Sequence, residues 1–88
     1  MKYTIKGLQR IADDHNRHNQ GDNWDWFEVI YEEFINGNNI KRIFDCMSRK
    51  ETLKVIDRCV NEHDSHWFDD STLGDIYKVA ITSLEERL

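Results

Sequence analysis

Apolar residues recur along this chain at spacings of three and four, the period of a helix with one face on a core. Ile5, Leu8, Ile11, Ala12 and His15 make the first stripe, which begins near Thr4, and Lys6, Arg10, Asp13 and Arg17 lie opposite. The segment Asn19-Gln20-Gly21-Asp22 stops it. Asp22, with Asp25 three positions on, is read as the cap of a second helix whose inward stripe is Trp24, Phe27, Ile30, Tyr31, Phe34 and Ile35. Gly37 follows as a left-handed residue just past its end. Asn38 or Asn39 caps a short third helix with Ile40, Ile43, Phe44 and Met47. Ser48-Arg49-Lys50-Glu51 then reads as a capping box and bends the chain into a fourth helix. That helix carries Leu53, Ile56, Cys59, Val60 and His63 on one face. Residues 63–72 show no period and are read as loop. Ser71 or Thr72 caps a last helix with Leu73, Ile76, Tyr77, Ala80, Ile81, Leu84 and Leu88 inward. Two-residue alternation is confined to Met1–Ile5, where a short strand is the alternative.

The expected fold is therefore all-α: a compact bundle of four to five short helices in a single domain spanning residues 1–88. An 88-residue chain has room for one modest core. Its 39% hydrophobic content suffices to fold it and argues against disorder. Apolar runs of three residues, such as Val29-Ile30-Tyr31, are far too short for a membrane span. Nothing at the start reads as a secretory signal, and two cysteines are too few for a disulfide scaffold. Cys46 and Cys59 are read as reduced thiols, and a cytoplasmic location is expected.

Charge divides the chain more sharply than its net of -5 suggests. Residues 1–17 carry +2, 18–40 carry -5 with no lysine or arginine, 41–58 carry +3, and 59–88 carry -5. In the second block Asp25, Glu28 and Glu32 fall within about 60° of one another on a helical wheel. Trp26, Val29 and Glu33 fall beside them, off the expected core face. An outward tryptophan next to a row of acids suits protein binding, because Trp anchors interfaces and carboxylates steer a basic partner. Asp25, Trp26, Glu28, Glu32 and Glu33 are accordingly the candidate partner-binding residues. The plainer alternative is a solvated face paired with Lys41, Arg42, Arg49, Lys50 or Lys54, with Trp26 covering a neighbour.

Other chemistry is thinner. His15/His18 and His63/His66 have the His-x-x-His spacing of a metal site, near Asp13, Asp14, Asp64, Asp69 and Asp70. However, no Cys-x-x-Cys or His-Glu-x-x-His accompanies them, and His15 and His63 sit in apolar stripes as core histidines do. No metal or other cofactor is assigned. The glycines at 7, 21, 37 and 74 form no phosphate loop, no nucleophile elbow is present, and Cys59 faces inward, so no catalytic residue is assigned. The bases of 41–58 are interleaved with Asp45, Glu51 and Asp57, which favours internal pairing over direct nucleic-acid binding.

The sequence thus points to a non-enzymatic interaction protein whose acidic helix meets a larger protein with a basic surface. One specific form is a nucleic-acid mimic that blocks a phosphate-binding groove. In its general character, small, acidic and helical, the chain is similar to virus- or mobile-element-encoded inhibitors of host proteins, phage proteins among them. Two alternatives belong to other classes: a small-ligand or metal-binding module built on the histidine pairs, and a homo-oligomer joined through Trp26 and Val29.

Overall fold

The computed structural model describes residues 2–87. Five helices are present among the described residues: α1 (Ile5–His18), α2 (Trp26–Ile35), α3 (Lys41–Asp45), α4 (Arg49–Asn61) and α5 (Asp70–Glu86). This is the expected all-α bundle. α1 packs on α2, α4 packs on α5, and α5 also touches α3 and α2. The pair α4–α5 is antiparallel: an eight-residue connection joins them at one end, and at the other Arg87 reaches Thr52 (Nη2 to Oγ1, 3.3 Å). The core runs between the two pairs, with Leu8, Phe27, Ile30, Phe44, Val55, Leu73 and Ile76 all buried. No helix is long and apolar enough to cross a membrane among the described residues.

Caps fix most helix starts, though not always where the pattern placed them. Thr4 starts α1 as expected, its hydroxyl accepting from the Gly7 amide. α2 is capped by Asp25, not Asp22. Residues 22–25 are non-helical, and Asn16 of α1 bonds both backbone groups of Trp24, at 2.9 Å each. Asp22 is thereby free to bond His15 at 2.8 Å. Asp25 and Glu28 form the full reciprocal box. Gly37 takes a φ of 82°, as a residue just past a helix end should. Asn39 accepts from the Lys41 amide at the start of α3.

The bend at Ser48 is present, with α3 and α4 separate. Ser48 accepts from the Glu51 amide at 3.1 Å, but Glu51 does not complete the box. Its carboxylate instead accepts from the Ser48 hydroxyl and, at 2.7 Å, from the Ile5 amide. One side chain thus joins the starts of α4 and α1. Asp69, two residues before Ser71, caps α5, accepting from the Thr72 amide and hydroxyl at 3.0 Å each. The carboxylate reaches those donors first, which moves the start of the helix upstream. Tyr3 pairs with Met47 in one isolated bridge, and no strand forms among the described residues.

Four inward stripes are corrected. On α4 the buried positions are Thr52, Val55 and Cys59, while Leu53, Val60 and His63 are exposed. The helix is rotated because its contact is α5, and Thr52 can turn inward by donating its hydroxyl to the Ser48 carbonyl. Ile11, Ile35 and Tyr77 are also exposed, whereas Val29 is buried against the core. α2 is covered from both α1 and α5, so its buried arc is wider than one stripe. Leu88 lies outside the described residues.

Asp45 locks α3 to α5. It accepts from the Ser83 hydroxyl at 2.6 Å and from Lys41 at 2.9 Å, and these bonds hold its carboxyl below the ordinary carboxylate range. A lowered carboxyl pKa stabilises the fold above the unfolded value, near 4, and the contribution is lost as pH falls through the folded value. Urea unfolding of the wild type and Asp45→Asn checks this. The wild type should be the more stable above about pH 5, with the gap closing below about pH 4. A gap that does not change with pH would contradict it.

Candidate functional site

A cleft of about 640 Å³ opens where the α1–α2 loop, the start of α2, the end of α4 and the 62–69 connection meet. Its lining includes the carboxylates of Asp22, Asp25, Glu28 and Glu62, the rings of Trp24, Trp67 and Phe68, and, as its one cation among the described residues, Arg58. Each group is held by a local device. Trp24 is fixed by Asn16 and stacks on His15, ring centres 3.4 Å apart. Phe68 packs edge-on against Phe27 and Tyr31. The Tyr31 hydroxyl accepts from the Asp69 amide at 3.0 Å, which pins the connection to α2. Trp67, by contrast, is 85% exposed, the most open large apolar side chain.

Arg58 organises the cleft. Its guanidinium bonds Asp25 at 2.6 Å and Glu62 at 2.8 Å, and lies 5.7 Å from the Trp26 ring centre and 5.2 Å from that of Phe27. Burial works against its charge, but Glu62 and Asp25 outweigh that and raise its pKa above the ordinary value. Burial also pushes the Glu28 carboxyl upward, opposed by its bond from the Asp25 amide. A carboxylate short of solvent in this way gains from an incoming cation.

The five candidate residues do not form one row. Asp25 and Glu28 enter the cleft. Glu32 is half-buried, one turn further along α2. Glu33 points elsewhere, accepting from Asn38 at 2.8 Å and lining a separate hollow with Tyr3, Ile11 and Arg42. Trp26 is not an outward anchor: it is half-buried, edge-on to Phe27 and beneath Arg58, with its amide donating to Gln9. With Val29 buried as well, the Trp26/Val29 patch is not available as an interface between copies. The base that the structure pairs with Asp25 is Arg58, not Lys41, Arg42, Arg49, Lys50 or Lys54.

Sequence reasoning missed Asp22, Trp24, Arg58, Glu62, Trp67 and Phe68 as site residues. Its available signal was a Trp-Phe pair inside an aperiodic acidic loop. The histidine pairs do not converge as pairs. His15 is committed to Trp24 and Asp22, and His18 lies 3.6 Å from Asp14. His63 joins Asp64 and Asp70 in an exposed group, its two ring nitrogens 3.1 and 3.7 Å from their carboxylates. Cys59 is buried, and burial pushes its thiol up to about 12, which suits packing rather than attack.

Comparison with known proteins returns no matching family model, no similar characterised protein and no similar solved structure.

Replacing Arg58 by Met should cost about 1–3 kcal/mol, since two carboxylates would then face each other without a shared donor. Arg58→Lys should recover only part of this, because one ammonium cannot reproduce the planar fork. Urea unfolding measures both. A methionine variant as stable as the wild type would contradict the role given to Arg58.

Proposed function

We propose that the protein is a non-enzymatic binding module that seats a basic surface of a larger protein on the cleft at the start of α2. The observation that carries this reading is the lining: four carboxylates and three aromatic rings around a single guanidinium. Carboxylates draw in and orient a cation, and aromatic faces hold it once it is desolvated. Arg58 illustrates that chemistry from inside the fold, since it is gripped by two carboxylates over two rings. A partner's arginine or lysine would meet the outer oxygens of Asp22 and Glu28, the two cleft carboxylates that do not bond Arg58, with the exposed ring of Trp67 beside them.

The partner class that fits best is a nucleic-acid-handling protein, whose phosphate groove is lined with such side chains. Carboxylates held on a rigid helix would occupy that groove in place of phosphate. On this reading the protein is an inhibitor of the virus- or mobile-element type, acting in the cytoplasm without itself touching nucleic acid.

Calorimetric titration with an arginine-rich peptide tests the reading, with a glutamate-rich peptide as control. The wild type should bind only the basic peptide, more weakly as salt rises. Glu28→Gln combined with Glu32→Lys keeps an acceptor for the α2 cap and should weaken binding at least tenfold, about 1.4 kcal/mol. Trp67→Ala should weaken it as well. Unchanged affinity in both variants would sink the proposal.

A further inference from the structure

A hollow of about 430 Å³ lies between α1, α2 and α3 and shares no lining residue with the acidic cleft. Its size is that of a small-molecule site. Its floor is apolar: Leu8, Val29 and Ile43 are buried there, and Tyr3 is half-buried. Ile11 stands at its side, 51% exposed although Leu8 and Ala12 on the same face of α1 are buried, so an apolar contact is left open. The polar part of the lining is Glu33 of α2, Arg42 of α3, and Asn38 and Asn39 in the connection between those helices. Each asparagine already uses one end of its amide. Asn38 Nδ2 donates to Glu33 Oε2 at 2.8 Å, and Asn39 Oδ1 accepts from the Lys41 amide at 3.1 Å. Two acceptors remain, Glu33 Oε1 and Asn38 Oδ1, and two donors, Asn39 Nδ2 and the Arg42 guanidinium. No ion pair joins Glu33 to Arg42 among the described residues, so both charges are available.

We propose that this hollow binds a small zwitterion with an apolar body, of the class of free amino acids with an aliphatic or aromatic side chain. The ammonium is taken by Glu33 and Asn38 Oδ1, the carboxylate by Arg42 and Asn39 Nδ2, and the side chain lies against Ile11, Tyr3 and the floor. Both ends then make charge-assisted hydrogen bonds. A ligand of one sign fits less well, because a cation would face Arg42 and an anion would face Glu33. An uncharged apolar ligand would take water from both charges and return no bond. A neighbouring hollow of about 300 Å³ shares Asn38 and Asn39, but its charged residues are Lys41 and Lys78, so it offers an ammonium no carboxylate. Lys41 is itself engaged by Asp45 and Glu86. The acidic cleft has no part in this site, so the two proposals stand or fall separately.

Titration of the isotopically labelled protein with L-phenylalanine and with L-leucine, followed by amide chemical shifts, tests it. At least one of the two should bind saturably with millimolar affinity, as suits so small a ligand, with shifts at Ile11, Asn38, Asn39 and Arg42. N-acetyl-phenylalanine, which lacks the ammonium, and phenylalaninamide, which lacks the carboxylate, should each bind at least fivefold more weakly than phenylalanine. Arg42→Met alters an exposed side chain and should leave the melting temperature unchanged while removing the preference for phenylalanine over its amide. Glu33→Gln keeps an acceptor for Asn38 and should remove the preference over the acetylated form. Trp67→Ala, in the cleft, should bind the amino acid as the wild type does. No saturable binding of either amino acid up to about 20 mM overturns the proposal. So does equal binding of either blocked form by the wild type, or unchanged binding in both Arg42→Met and Glu33→Gln.

Discussion

The guanidinium of Arg58 is drawn partly out of water between the end of α4 and the start of α2, and that position has to be compensated. Asp25 and Glu62 do so from two sides, with the faces of Trp26 and Phe27 beneath. Asp25 is at the same time the cap of α2, so the ion pair and the helix start share one side chain. Glu28 completes that cap and thereby loses solvent. The acidic cleft, its depth and the burial of Trp26 all depend on this arrangement. Without it the start of α2 would carry a row of mutually repelling carboxylates.

The same economy recurs elsewhere in the fold. Glu51 starts α4 and also holds the first amide of α1. Asp69 caps α5 while its own amide is held by Tyr31 of α2. Arg87 donates to Met47, Thr52 and Ser83, closing the far end of the α4–α5 pair. A chain of this size has a small core, and side chains that serve two elements at once fix helix positions that apolar packing alone would leave loose.

Which parts of this were legible in the sequence follows from the range of each interaction. The five helices, the Thr4 cap, the glycine stop at Gly37 and the bend at Ser48 rest on residues three or four apart, and the pattern displays them. The rotation of α4 does not: Leu53, Ile56, Cys59 and Val60 make a regular stripe that leaves out Thr52 and Val55, until α5 chooses the face. Likewise the Asp22 and Asp25 caps are equivalent in sequence until Asn16 claims the backbone of Trp24. The site was half visible. Asp25 and Glu28 stood out as acids on one helix, but Arg58 and Glu62 are thirty or more residues away, and only the fold brings them to the same cleft. Trp26 was misjudged for the same reason, since its cover comes from α4.

The claim that most needs a direct check is that this cleft, and not another face, receives a basic chain. Amide chemical-shift mapping of the isotopically labelled protein during titration with an arginine-rich peptide gives that check. The account predicts that the largest shifts fall at Asp22, Trp24, Glu28, Trp67 and Phe68, together with the indole signal of Trp67. Shifts concentrated on the outer face of α4 and α5, or no shifts at peptide concentrations near 1 mM, would contradict it.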